Sequence, residues 1–277
     1  MACLSSLFTS DQPRDEESKL LRLGAGRFAT VFAATGGAFR ALKLVKDNTR
    51  AAELEKEYNH LQLIYTRCYH KGSFFRLPRP YSFHASMFAY AEVLNFPTTG
   101  ILDHAMYSMQ RVLPVPPALS SRIRAKFFPA QLRDGLKYKT FLARLYLGKY
   151  PQPPPESCNF PLTAEMLDEL GLPVADIAEG MGRLLSRIHY LAGQDGRDIE
   201  FVLGGDKHDR PKFFCIDFDQ MRDWDDVQQL VTSFTTNDPY YPRPGMMYWD
   251  AFKSAYLDEA PISASASARQ FVKRLEQ

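Results

Sequence analysis

"GQDGRDIEFVLGGDKHDRPKFFCIDFDQ", residues 193–220, is the stretch that decides the fold. It carries seven acidic residues: Asp195, Asp198, Glu200, Asp206, Asp209, Asp217 and Asp219. Several stand beside apolar β-formers, in runs 201–203 and 213–218 that read as strand, turn, strand. A carboxylate beside a buried strand is costly unless it is paired, coordinates a metal or does chemistry. The spacing therefore predicts two neighbouring turns whose acids converge on one partly dry cavity.

The elements around this stretch give it a frame. Upstream, residues 163–192 predict two helices, the second with the apolar stripe Ile177, Met181, Leu184, Leu185 and Ile188. Downstream the chain reads as helices with loops. Near the N-terminus, residues 19–47 predict three strands, with a glycine turn at Gly24 and Gly26 and a hairpin at Gly36-Gly37. Residues 48–68 predict a helix capped by Asn48 or Thr49, with Leu54, Tyr58, Leu61 and Tyr65 on one face. Two or three more strands are expected between Phe75 and Val112, among them 87–94 and 106–112. "LPVPPALSS" (113–121) reads as a connection, followed by a basic helical region and a Pro-rich loop at 150–162. The division expected is a loose tail at 1–18, a small lobe at 19–112 and a larger lobe at 113–277.

Composition narrows the class. The 277 residues are 45% apolar, 24% charged and 13% aromatic, as in a soluble globular protein. A net charge of +2 argues for no partner by itself. Cys3, Cys68, Cys158 and Cys215 form no CxxC, so they read as reduced packing thiols in a cytoplasmic protein, with no zinc site. No apolar run reaches the roughly 20 residues of a membrane span, and residues 1–18 do not read as a secretory signal. No obligate protein partner is evident.

Three groups in the small lobe carry chemistry. Gly24 and Gly26 let backbone N–H groups approach phosphate, although an ordinary hairpin explains them as well. Lys43 lies in the apolar run "RALKLV", where it needs an anionic partner. Glu57, four residues before Leu61, shares that residue's inward face, or is a solvated helix charge.

In this order, glycine loop, strand lysine and helix glutamate resemble the protein-kinase-like fold: α+β, two lobes, the first small and β-rich, the second larger and mostly helical. "AMYSMQRVLP" resembles the strand into the hinge, with Gln110 on the connection. Asp195 stands five residues before Glu200 and Asp217 follows Cys215-Ile216, so Asp195, Glu200 and Asp217 take kinase-like positions. The departures are the missing His-Arg-Asp, a glutamate in the asparagine position and Asp-Phe-Asp in place of Asp-Phe-Gly.

A narrower resemblance rests on "YSMQRVLPVP", "GRDIEFVLGG" and "FFCIDFDQMR". These are similar to a fungal domain family that includes arginine-containing cyclodipeptide synthases, with Asp198, Glu200, Val202, Leu203 and Gly204 on its Asp-x-Glu-x-Val-Leu-Gly pattern. The resemblance implies a tRNA-dependent enzyme of secondary metabolism that joins arginine from arginyl-tRNA to a residue from a second aminoacyl-tRNA. It needs no cofactor. Asp198 and Glu200 are then the expected catalytic base and guanidinium-binding group, in either order. Asp195, Asp217, Asp219, Lys43, Glu57, Gly24, Gly26 and Gln110 are expected to bind substrate, with the terminal adenosine of tRNA in the cleft. The basic stretch 121–150, with Arg122, Arg124, Lys126, Arg133, Lys137, Lys139, Arg144 and Lys149 against Asp134, suits a phosphate backbone or a solvated helix face. Ser186 and Cys215 are the nucleophiles nearest the acids, and His189 reads as a structural hydrogen-bonder or a base. Two other functions fit the residues: a phosphotransferase using ATP and Mg²⁺, or a non-catalytic pseudokinase-like binding module.

Overall fold

A computed structural model describes residues 20–26, 28–34, 39–88, 103–133, 135, 140–148, 160–237 and 239–277. Three strands open the described residues: β1 (Leu20–Ala25), β2 (Ala29–Ala34) and β3 (Arg40–Val45). With β5 (Pro80–His84) and β6 (Met106–Gln110) they form an antiparallel sheet in the order β1-β2-β3-β6-β5. A register shift between Arg22 and Gly24 marks a bulge where β1 runs into the glycine turn. Lys43 shares a sheet face with Ala41 and Val45, while Leu42 and Leu44 face the opposite way, into a small cluster with Met87 and Met106.

α1 (Ala51–Cys68) packs against β5 and β6 and buries Leu54, Glu57, Tyr58, Leu61 and Ile64. Tyr65 is half-buried and stacks on Tyr69. The cap differs from the one expected. A 3-10 turn over Asn48–Arg50 precedes α1, and Asp47 accepts from the Thr49 N–H. Asn48 instead accepts from the Ala105 N–H, which fastens the helix entry to β6. Between Phe75 and Val112 the described strands are Phe75–Arg76, Pro80–His84 and Met106–Gln110. Of the strand expected at 87–94, Met87 and Phe88 are not in a strand, and 89–94 lie outside the described residues. The hairpin expected at Gly36-Gly37 also lies outside them.

The second part combines a sheet with helices. β7 (Ala143–Tyr146), β8 (Phe160–Thr163), β9 (Glu200–Gly205), β10 (Pro211–Ile216) and the short β4 (Phe75–Arg76) align as β4-β10-β9-β7-β8. β4 is thus donated from within 19–112 to the second sheet, pairing in parallel with β10. The basic segment read as helical is a helix only in part. α2 (Pro117–Phe127) is followed by a 3-10 turn and then by β7, whose Ala143 and Leu145 are buried. β8 carries Pro161 and sits on the sheet edge, where a missing N–H costs least.

α3 (Ala164–Glu169) and α4 (Val174–Tyr190) match the two helices expected, and the stripe from Ile177 to Ile188 is fully or almost fully buried. α5 (Val227–Thr236), α6 (Trp249–Glu259) and α7 (Ser265–Leu275) complete the helical region. α4 lies close against α6 because residue 182 is glycine: a Cβ there would stand 2.3 Å from the Phe252 carbonyl oxygen. Gly204 and Gly205 do the same for the chain entering the second part. A Cβ on either would meet the carbonyl oxygen of Leu113 at 2.5 Å or of Pro114 at 2.7 Å. The glycine of the Val-Leu-Gly pattern therefore packs the connection onto β9. The architecture is the α+β arrangement expected, a β-rich N-terminal region and a largely helical C-terminal region.

Candidate active site

The small-lobe side of the site is an ion-pair relay. Lys43 Nζ donates to Glu57 Oε1 at 2.6 Å and lies 3.5 Å from Asp217 Oδ1. Tyr107, on the strand beside Lys43, donates its hydroxyl to the same Glu57 oxygen at 2.8 Å. Glu57 is thus a buried partner and not a solvated helix charge. Burial works against the Lys43 charge, but Glu57 and then Asp217 more than offset it and hold the ammonium above its ordinary range. The Phe28 ring lies 5.5 Å from Lys43 Nζ, as a roof over the cation.

The facing side is built from the turns at the ends of β9 and β10. Asp198 and Asp217 are both in the left-handed region, at φ 62° and 64°. That conformation costs on the order of 1 kcal/mol for a residue with a Cβ, so the surroundings must hold it. What holds it is Asp195. Its side chain is fully buried and accepts from the backbone N–H groups of Arg197 and Arg222, from the Arg222 guanidinium at 2.8 Å, from Gln229 and from Ser233. Burial pulls this carboxyl up, but the donors, led by Gln229, outweigh it and keep it below its usual range. One carboxylate thus ties the 195–198 turn to the 217–223 turn. Asp195, expected to bind substrate, is a structural clamp with no free face.

The carboxylate that does face the cleft is Asp198. It keeps an open side to solvent and accepts from the Gln220 side-chain amide. Desolvation on the cleft floor, followed by the charges of Asp217 and Asp219, pushes it up to about 6, against the pull of Arg197 and Arg144. Gly26, Phe28, Ala29, Lys43, Asp198, Asp217, Asp219 and Gln220 line a cavity of about 220 Å³. The expected convergence of Asp198 and Asp217 opposite Lys43 is therefore present, under the glycine turn.

Glu200 sits deeper. It accepts from Nε and one terminal nitrogen of the Arg144 guanidinium on β7. Burial pushes its carboxyl up to about 7, with Arg144 pulling the other way. Arg144, read from the sequence as one of a basic stretch, belongs to this site. Sequence reasoning missed the pairing because β7 was not recognised as a strand.

The remaining expected residues fall elsewhere. Gly24 is not in the cavity lining, and a Cβ there would meet open space. Gln110 is also outside: its backbone N–H donates to Arg79, and its side chain accepts from the Arg79 N–H. The next hinge amide, Arg111 N–H, donates to Phe39. These internal partners occupy the hinge donors expected to meet a base. Arg122 and Arg124 donate to the carbonyls of Leu170 and Arg133, Lys126 pairs with Glu169, and Arg133 donates to Phe128. All four lie on or after α2, away from the cavity lining. Lys137, Lys139, Asp134 and Lys149 lie outside the described residues.

Neither nucleophile nearest the acids is activated. Cys215 is fully buried and burial drives its thiol far up; Ser186 is buried within α4. Burial also drives His189 down to about 3, and its Nδ1 hydrogen-bonds the Tyr256 hydroxyl at 2.7 Å. His189 is a structural hydrogen-bonder.

Together these features define an α+β framework in which a lysine–glutamate–aspartate relay faces the Asp198 carboxylate across a small cavity, with Asp195 as internal support. The DUF3669 family model, described as "Zinc finger protein", matches residues 213–267. That segment holds one cysteine, the buried Cys215, and no histidine, so it does not supply a tetrahedral zinc set. Among the described residues no group of three or more His, Cys, Asp or Glu side chains is placed to hold a metal ion.

Two solved structures are similar at low identity. The GDP and kanamycin complex of APH(2")-IIia is 11% identical, with 93% of this chain and 84% of that one covered and a TM-score of 0.33. The Mycobacterium tuberculosis PknI kinase domain is 14% identical, with coverage of 94% and 96% and a TM-score of 0.34. No curated protein matches the chain. Among the described residues no helix is long and apolar enough to cross a membrane.

Proposed function

We propose that the chain is a tRNA-dependent cyclodipeptide synthase that condenses arginyl-tRNA with a second aminoacyl-tRNA to cyclo(Arg-Xaa). The observation that carries this reading is the division of labour between two aspartates. Asp195, where a kinase keeps its base, is locked among five donor groups, while Asp198 faces the cleft with its carboxyl at about 6. Aminoacyl transfer needs a base of that strength for an α-amine, and no phosphate donor. In the first step the amine of one aminoacyl group attacks the ester carbonyl of the other. An amide C–N bond forms, the ester C–O bond breaks, and Asp198 passes the amine proton to the departing ribose oxygen. Repetition within the dipeptidyl ester closes the ring and releases the second tRNA. An arginyl guanidinium suits the carboxylates of Asp217 and Asp219, and Lys43 under the Phe28 roof suits a phosphate.

The test supplies purified protein with arginyl-tRNA and a mixture of other charged tRNAs, without ATP. The expected result is a diketopiperazine containing arginine, identified by mass. Absence of any such product with every charged tRNA supplied would overturn the reading.

A second reading, an ATP- and Mg²⁺-dependent phosphotransferase, is favoured by the Lys43–Glu57–Asp217 relay. Mg²⁺ takes oxygen donors, but among the described residues no cluster of three acids is placed to hold it, and Glu200 is engaged by Arg144. Phosphate transfer from Mg·ATP in the absence of tRNA would select it. Thermal stabilisation by nucleotide or RNA with no turnover would select a binding module.

A further inference from the structure

We infer that His60 is a positioning residue that latches α1 to the turn presenting Asp217 and Asp219. The inference rests on the cleft being the reaction site, as proposed above. His60 lies three residues after Glu57 and therefore on the same face of α1. Its Nδ1 is 2.9 Å from the carbonyl oxygen of Phe218, the residue between the two aspartates. A carbonyl only accepts, so Nδ1 carries the hydrogen and donates. Burial lowers the His60 pKa, and the neutral ring in this tautomer makes the bond at neutral pH.

The contact matters because of the geometry of the turn. Asp217 is left-handed, and the Phe218 side chain is buried while its neighbours open toward the cavity. The direction of the Phe218 carbonyl sets the peptide plane that leads into Asp219. Two contacts from one face of α1 therefore fix the turn: Glu57 through Lys43 to Asp217, and His60 directly to Phe218. Any displacement of α1 moves both carboxylates.

The side-chain amide nitrogen of asparagine can take the place of histidine Nδ1, and that of glutamine the place of Nε2. His60→Asn keeps a donor where it is needed, His60→Gln moves it and His60→Leu removes it. Amide hydrogen exchange over residues 218–222 is measured without substrate, together with melting temperature and with kcat and KM in the condensation assay. Expected is an increase in exchange of about tenfold in the Leu and Gln variants, confined to that segment, and restoration by Asn. A matching fall in kcat, with KM little changed, accompanies it. Unchanged exchange in His60→Leu, or equal behaviour of Asn and Gln, overturns the inference. Should the Leu variant not fold, the comparison of Asn with Gln decides. Exchange needs no turnover, so a failed condensation assay leaves the latch open to judgement.

Discussion

Asp195 and Asp198 are three residues apart and have opposite fates. On the proposed reading Asp198 acts unprotonated, so the condensation rate is expected to rise with pH through about 6, where its carboxyl loses its proton, and to level off above 7. Asp198→Asn should remove that limb and lower the rate about 10²- to 10⁴-fold, measured as product formed against pH. Asp195→Asn should act on the fold, because one amide cannot accept from the donors now satisfied by a carboxylate. A loss of about 3 kcal/mol in denaturant unfolding is expected. The sequence showed that acids gathered here, and it placed Lys43, Glu57 and Asp217 in their relation. It did not show which acid turned inward, since the donors from Arg222, Gln229 and Ser233 arrive from 27 to 38 residues away.

At the scale of elements, strong periodicity was legible and short strands were not. The stripe on α4 and the apolar β-former runs of β9 and β10 gave those elements within a residue or two. β7 has only four residues, and its buried Ala143 and Leu145 alternate with Arg144 and Tyr146. That signal was outweighed by the basic residues around it. The cap of α1 was misplaced because Asp47, Asn48 and Thr49 are all competent, and the choice depended on Ala105 claiming Asn48. Close packing of helices rests on a glycine no local rule singles out. Gly182→Ala should cost about 2–3 kcal/mol, because the new methyl meets backbone, and the Phe252 carbonyl cannot rotate aside. Thermal denaturation of the variant measures it.

One contribution to the acid response of the whole molecule comes from His189. The folded chain holds this ring neutral down to about pH 3, whereas an unfolded histidine takes up its proton near 6.5. Between those values the unfolded state binds a proton that the folded state refuses. Stability is therefore complete above pH 6.5 and falls as pH drops toward 3, by up to about 5 kcal/mol from this group. His189→Phe should lower stability at neutral pH through the lost Tyr256 bond, yet give a shallower decline in acid, as read from urea midpoints across pH 3–7.

The sequence by itself determined the class of architecture and the polarity of the site. Apolar spacing sets which faces must be buried, and an excess of carboxylates beside buried strands demands a polar cavity. Only the tertiary structure decided which carboxylate is support and which faces the cleft, that Arg144 joins Glu200, and that Gln110 is spent on Arg79. Those outcomes depend on desolvation and on partners distant in the chain. A carboxylate ringed by donors and one crowded by like charges are the same letter until the turns are folded against each other.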